Sequence, residues 1–204
     1  MAHNFQRSLA FSYNDAFLSV APAYLADTFY TNPANIELHR NDELDKHGGD
    51  FEIHTACGPI YIDYKLRRYE FRNDICIEIV SVSARNDLRS VEDISAAVQQ
   101  SPGWSIDKCK RSDYILYAWP YDNNSFLVRM YDFVALRLES IARWSEWIRA
   151  YGLQVIPNRS RFDRNKRFYT YCVFVPVGDV RAPSFPETTL NPNRTQQEVP
   201  NELH

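Results

Sequence analysis

Nowhere does the chain hold an apolar run approaching the roughly 20 residues that carry a helix across a bilayer, which excludes a helical membrane span. Its first residues, Met1 to Arg7, lack a basic segment followed by an apolar secretory stretch, so the expectation is a soluble, cytoplasmic protein with no membrane partner. Cysteine is scarce and scattered: Cys57, Cys76, Cys109 and Cys172 form no Cys-x-x-Cys and have no neighbouring histidine pair, so reduced thiols are expected rather than a zinc site. Positive charge is not in excess either, since 23 Lys and Arg against 26 Asp and Glu leave a net charge of −3. Bulk charge therefore does not advertise a nucleic-acid partner, although a local basic groove depends on distribution rather than sum. No internal repeat is evident.

What the chain does have is enough apolar material for a real core, with 45% hydrophobic and 14% aromatic residues in 204 positions. That length suits one domain, expected over residues 1–180, with 181–204 a disordered or loosely attached tail because proline, asparagine and threonine dominate there. Apolar residues at Phe17, Val20, Ala21, Tyr24 and Leu25 mark a first helix, expected to break or restart at Pro22. Strands are expected near Phe51–Ala56, Ile60–Arg68 and Ile75–Val82, read together as a three-strand meander. Ser90-Val-Glu-Asp93 resembles a capping box and opens a short helix that Ser101-Pro102-Gly103 ends. Tyr114–Trp119 is a nearly continuous apolar run suited to a strand buried on both faces. A strand at Phe126–Met130 follows, then a long helix over Asp132–Tyr151 whose expected apolar side carries Val134, Leu138, Ile141 and Ile148. Strands at Leu153–Ile156 and Phe168–Val175 complete the pattern.

The segment from Gly48 to Arg68 concentrates the chemistry. Two alternating stretches joined at Cys57-Gly58-Pro59 read as a hairpin, which brings Asp50 back beside Asp63. Strand side chains alternate with period two, so Lys65 shares a face with Asp63. Two carboxylates and an ammonium then converge, the inventory that holds a hard divalent cation through oxygen ligands and positions a water beside it.

These residues, Gly-Gly-Asp50 followed by Asp63-Tyr64-Lys65, resemble the signature of the PD-(D/E)XK nuclease superfamily, in a form similar to that of Holliday-junction resolvases and several phage and restriction endonucleases. Ser101-Pro102-Gly103-Trp104 and Ser112-Asp113 to Tyr117 resemble, more loosely, the helix-to-strand passage that closes that fold. The resemblance covers residues 45–120. It implies an α/β protein with a restriction-endonuclease-like αβββαβ core, a mixed central sheet flanked by helices, here with an additional C-terminal helix and strands. It implies a Mg²⁺- or Mn²⁺-dependent endonuclease acting on nucleic acid, with DNA as the expected substrate, in which Asp50, Asp63 and the Tyr64 carbonyl hold the metal and Lys65 is the catalytic lysine. The absence of a cysteine quartet sets the chain apart from the iron-sulfur exonucleases of that superfamily.

Alternatives stay open at this point. Asp63 could pair with Glu78 on the next strand, and Asp15, Asp27 or Glu37 could add an acid from the N-terminal part. His47 and His54 are read as structural or solvated. Nucleic-acid contacts are expected from Arg67, Arg68, Arg159, Arg161, Lys166 and Arg167, with Phe162, Phe168 and Tyr169 interleaved for stacking. A further cluster is Lys108, Lys110 and Arg111. A duplex cutter often needs two sites, which makes a second copy of the chain an expected partner. Competing functions are a binding or protein-interaction module that keeps the fold without turnover, and a phosphodiesterase for a small nucleotide, which has no need of the Arg159–Arg167 track.

Overall fold

A computed structural model describes residues 14–39, 49–67, 73–121, 125–159 and 167–192. Helix α1 (Asp15–Thr28) comes first, capped by Asn14, whose side chain accepts the Phe17 N–H. Strands β1 (Ile36–Leu38), β2 (Phe51–Thr55), β3 (Gly58–Leu66) and β4 (Asp74–Ser83) follow. Then come α2 (Val91–Gln100), β5 (Tyr114–Pro120), β6 (Phe126–Asp132), α3 (Phe133–Tyr151), β7 (Gln154–Arg159), β8 (Arg167–Pro176) and β9 (Thr188–Leu190). The fold is mixed α/β. No helix among the described residues is long and apolar enough to cross a membrane.

Six strands form one sheet in the order β1-β2-β3-β5-β6-β9, in which only β3 and β5 run parallel. The other three form a separate antiparallel sheet, β4-β8-β7. A core packs against each face of the larger sheet. Phe17, Ala21 and Leu25 of α1 pack with Phe51, Ile53, Ile62, Leu116 and Val128 on one side. On the other, Ile115, Tyr117 and Trp119 meet Ile75, Ile77 and Ile79 of β4, Tyr171, Val173 and Val175 of β8, and residues of α2 and α3. The unbroken Ile-Leu-Tyr-Ala-Trp run of β5 thus feeds two cores by strand alternation, the reason it lies inside the larger sheet.

Two of the three segments read as a meander, β2 and β3, pair as expected, but the third, β4, does not join them, and the meander is completed by β1 on the other side of β2. Strand β4 leaves the sheet for the smaller one, and β3 takes β5 as its neighbour instead. The composition of β4 accounts for this. Ile75, Ile77 and Ile79 give it one apolar face, while Asp74, Cys76 and Glu78 make the other polar, unsuited to a slot covered on both sides. The place beside β3 is filled by β5, and the short β1 adds an edge strand beside β2.

Three further expectations are corrected. Pro22 neither breaks nor restarts α1, which runs through it. One backbone bond is lost there, and the burial of Phe17, Leu18, Ala21 and Leu25 on the same helix outweighs it. In α3 the buried residues are Phe133, Leu136, Ser140 and Trp147, leaving Val134, Leu138 and Ile141 exposed. Of the expected stripe only Ile148 packs against the core. Finally, the start of the supposed tail is docked: the Asp132 N–H donates to the Pro183 carbonyl, the Phe185 N–H donates to Met130, β9 pairs with β6, and Leu190 is buried. The remainder, 193–204, lies outside the described residues.

Candidate active site

The hairpin of β2 and β3 is closed by its own turn. The Thr55 hydroxyl donates to the Gly58 carbonyl at 2.6 Å and accepts the Cys57 N–H at 3.2 Å, and Gly58 adopts φ 120°, a conformation that side chains other than glycine's rarely tolerate. From that turn the register runs Thr55 opposite Gly58 to Phe51 opposite Ile62, so one further step sets Asp50 opposite Asp63. The Tyr64 N–H donates to Asp50 Oδ2 at 2.8 Å, and the Lys65 ammonium donates to Asp63 Oδ1 at 2.8 Å. Asp50, Asp63 and Lys65 are thus brought together as expected, while the Tyr64 ring points to the opposite face, against Phe17 and Phe51.

Both carboxyl groups are buried, at 9% and 5% residue exposure, and they outnumber the single ammonium beside them. Burial, then the charge of Asp63 and a hydrogen bond between the two carboxyls, holds the Asp50 carboxyl well above the usual carboxylate range. Burial alone would lower the Lys65 ammonium, but the attraction of Asp63 and Asp50 wins and raises it above its ordinary value. Lys65 is therefore a cation, not a neutral base.

A third acid faces this group from the smaller sheet. The Glu78 carboxyl is raised by burial, opposed by the Ser81 hydroxyl, the Trp104 N–H and the charges of Lys65 and Lys110. The Trp104 N–H donates to Glu78 Oε1 at 3.3 Å, and the Ser105 hydroxyl donates to the Glu78 carbonyl. Close by, the Gly103 N–H donates to Ile79 at 2.8 Å, and a Cβ at Gly103 would stand 2.1 Å from the Glu78 carbonyl oxygen. The Ser101–Trp104 segment is thereby laid onto β4, with the Trp104 ring 5.4 Å from the Lys65 nitrogen.

Other candidates fall elsewhere. Asp15 and Asp27 sit on α1, which covers the sheet face opposite to the one that carries Asp63 and Lys65. Glu37 lies across from Glu52, and His54 bridges them at 3.6 Å to each, which makes both part of a surface ion-pair group. Asp113 accepts the Tyr61 N–H and fastens the start of β5 to β3. Arg67 is paired with Asp74 at 2.9 Å and lies over the Phe174 ring, so its guanidinium is already engaged. Arg159 and Arg167 are opposite each other at the far ends of β7 and β8. Arg167 is five residues along β8 from Cys172, the residue that pairs with Glu78, or about 17 Å of strand. Arg68, His47, Arg161 and Lys166 lie outside the described residues.

Sequence reasoning missed two features near the carboxylates. Glu52, two residues from Asp50 on the same face, has its carboxylate 3.1 Å from His39 Nε2, and the strand period alone would have placed it there. Trp104 had no local signal for its contact with Lys65, because the segment is positioned by β4.

The donor set of Asp50, Asp63 and the Tyr64 backbone is all oxygen and carries surplus negative charge, which fits a hard divalent cation completed by water or phosphate. Among the described residues, no three His, Cys, Asp or Glu side chains are already grouped to hold a metal ion. Comparison of the chain with protein-family models, with curated proteins and with solved structures finds no match.

Proposed function

We propose that the protein is a metal-dependent nuclease, an endonuclease acting on DNA, on a restriction-endonuclease-like core of the PD-(D/E)XK kind. The observation that carries the reading is the buried pair Asp50 and Asp63, facing each other across a hairpin with Lys65 donating to one of them. Two buried carboxyls beside a single ammonium are electrostatically incomplete, as the raised Asp50 carboxyl records. The αβββαβ order supports the same reading once β1 is counted in place of β4, with β3 and β5 parallel across the α2 crossover.

Asp50, Asp63 and the Tyr64 carbonyl would hold Mg²⁺ or Mn²⁺. Bound there, the cation supplies charge neutralisation at the phosphate and lowers the pKa of water. A bound cation would offset the burial and the Asp63 charge that raise the Asp50 carboxyl, whose Oδ2 is aimed by the Tyr64 N–H. Lys65, a fixed cation on the same face, orients the attacking water and faces the charge that grows on phosphate. Arg159, Arg161, Lys166 and Arg167 remain candidates for gripping the backbone of a long substrate.

The test is cleavage of single-stranded, duplex and four-way-junction DNA with Mg²⁺ or Mn²⁺. Asp63→Asn and Lys65→Ala are each expected to lose at least about a hundredfold in rate while staying folded. Wild-type protein that neither cleaves nor binds these cations would instead favour the binding module.

A further inference from the structure

Lys65 leans on Asp63, yet Asp63 is also the oxygen that the proposed reaction needs for its cation. An ammonium whose one hydrogen-bond partner among the described residues is shared in this way requires a second support, or it turns away to solvent, to which 35% of its side chain is already open. The fold supplies that support from outside the hairpin. The Trp104 ring lies 5.4 Å from the Lys65 nitrogen, within the range at which a cation is held by an aromatic face. Behind it the Phe133 ring stacks at 5.9 Å and 25°, and the Arg137 guanidinium covers Phe133 at 4.6 Å. Trp104 is tied to β4 through its own N–H, donated to Glu78 Oε1. The Glu78 carboxylate and Lys65 attract each other across this junction.

We propose that Glu78 and Trp104 are positioning residues for Lys65: together they form a seat that keeps its ammonium at the reaction centre when Asp63 is engaged elsewhere. Trp104 offers a neutral surface that directs the ammonium without neutralising it. Glu78 supplies a negative charge and, by holding the Trp104 backbone, fixes the ring. The polar face that keeps β4 out of the larger sheet is thereby put to use, since it is the face that brings Glu78 to Lys65.

The inference rests on the nuclease reading for its kinetic consequence but not for its geometry, and the two are tested apart. In metal-free protein with ¹⁵N-labelled lysine, the Lys65 side-chain ¹H–¹⁵N signal is followed at one pH in wild type, Glu78→Gln, Trp104→Leu and Trp104→Phe. Trp104→Leu is expected to shift the signal by loss of the ring current, and Glu78→Gln, which keeps the acceptor for the Trp104 N–H, to shift or broaden it. In cleavage, both are expected to lower kcat at least tenfold with KM within twofold, and Trp104→Phe to recover most of the loss. An unmoved Lys65 signal in both variants overturns the seat. So does a loss of kcat that Trp104→Phe does not rescue. If wild type cleaves nothing, the nuclease reading falls and the lysine signal alone decides whether the seat exists.

Discussion

A buried carboxyl that resists ionisation weakens the fold, and Asp50 is such a group. In the folded chain it holds its proton more tightly than in the unfolded chain, because of burial first and Asp63 second. Where pH lies above the ordinary carboxylate range the unfolded state binds fewer protons than the folded one, so stability falls as pH rises toward the folded value. Asp50→Asn removes that penalty: its oxygen still accepts the Tyr64 N–H, and its amide donates to Asp63 in place of the shared proton. Thermal melts with chelator present are therefore expected to show Asp50→Asn more stable than wild type at pH 7. The gain should fade toward pH 4, where the unfolded carboxyl is itself protonated, and calorimetric titration should show weakened Mn²⁺ binding. An equal or lower melting temperature at pH 7 would mean that Asp50 is not strained by burial. This trio was legible because its relation is local, two strands, one turn and a period of two. Glu78 was weighed from sequence only as a partner of Asp63 on an adjoining strand, and Trp104 not at all for Lys65, since both are placed by a separate sheet that pairs residues almost a hundred positions apart, Glu78 with Cys172.

At the scale of elements, α3 shows where periodicity misleads. Val134, Leu138 and Ile141 obey helical spacing as well as the true inner face does, but they are 55%, 63% and 45% exposed. Spacing identifies a face, whereas the direction in which the helix enters identifies the buried one. Here the entry is set by Asp132, whose side chain accepts the Ala135 N–H, and by the Phe133 N–H, which donates to Asp113. Phe133 is thereby turned toward Trp104, and Leu136, Ser140 and Trp147 follow it inward. Leu138→Glu is accordingly expected to change stability by no more than about 0.5 kcal/mol, whereas Trp147→Ala should cost about 3–5 kcal/mol. Urea unfolding of the two variants checks the assignment, and similar losses in both would return Leu138 to the core. The described helices lie where the sequence placed them, and the error in α3 concerns its face, whereas the short edge strands β1 and β9 carried no apolar run to mark them. The partners that the longer strands take, β3 with β5 and β4 with β8, are long-range choices made by which strand is apolar on both faces.

The whole molecule is closed by its C-terminal segment, which composition alone marked as loose. Few apolar residues lie beyond Arg181, but those present are well placed. Leu190 enters the α1 core, and Phe185 packs against the rings of Phe29 and Tyr114 at 6.0 and 5.7 Å. Polar anchors complete the attachment, since the Glu139 carboxylate of α3 accepts the N–H groups of Arg181 and Ala182 at 2.9 and 2.8 Å. Docking is thus specified by a few contacts at correct positions, which an average over the segment conceals. Removing Arg181–His204 would also strip β9 from β6, leaving the edge of the larger sheet unpaired beside Phe126 and Val128. Loss of the Leu190 and Phe185 side chains alone is worth about 3 kcal/mol or more of apolar burial. At about 2–4 °C per kcal/mol for a chain of this size, the truncated protein should melt on the order of 10 °C lower. Leu190→Ala separates docking from chain length: it keeps all 204 residues yet should reproduce a substantial part of the loss. If the truncation melts with wild type, or if Leu190→Ala is silent, β9 contributes nothing to closure and the larger sheet ends at β6.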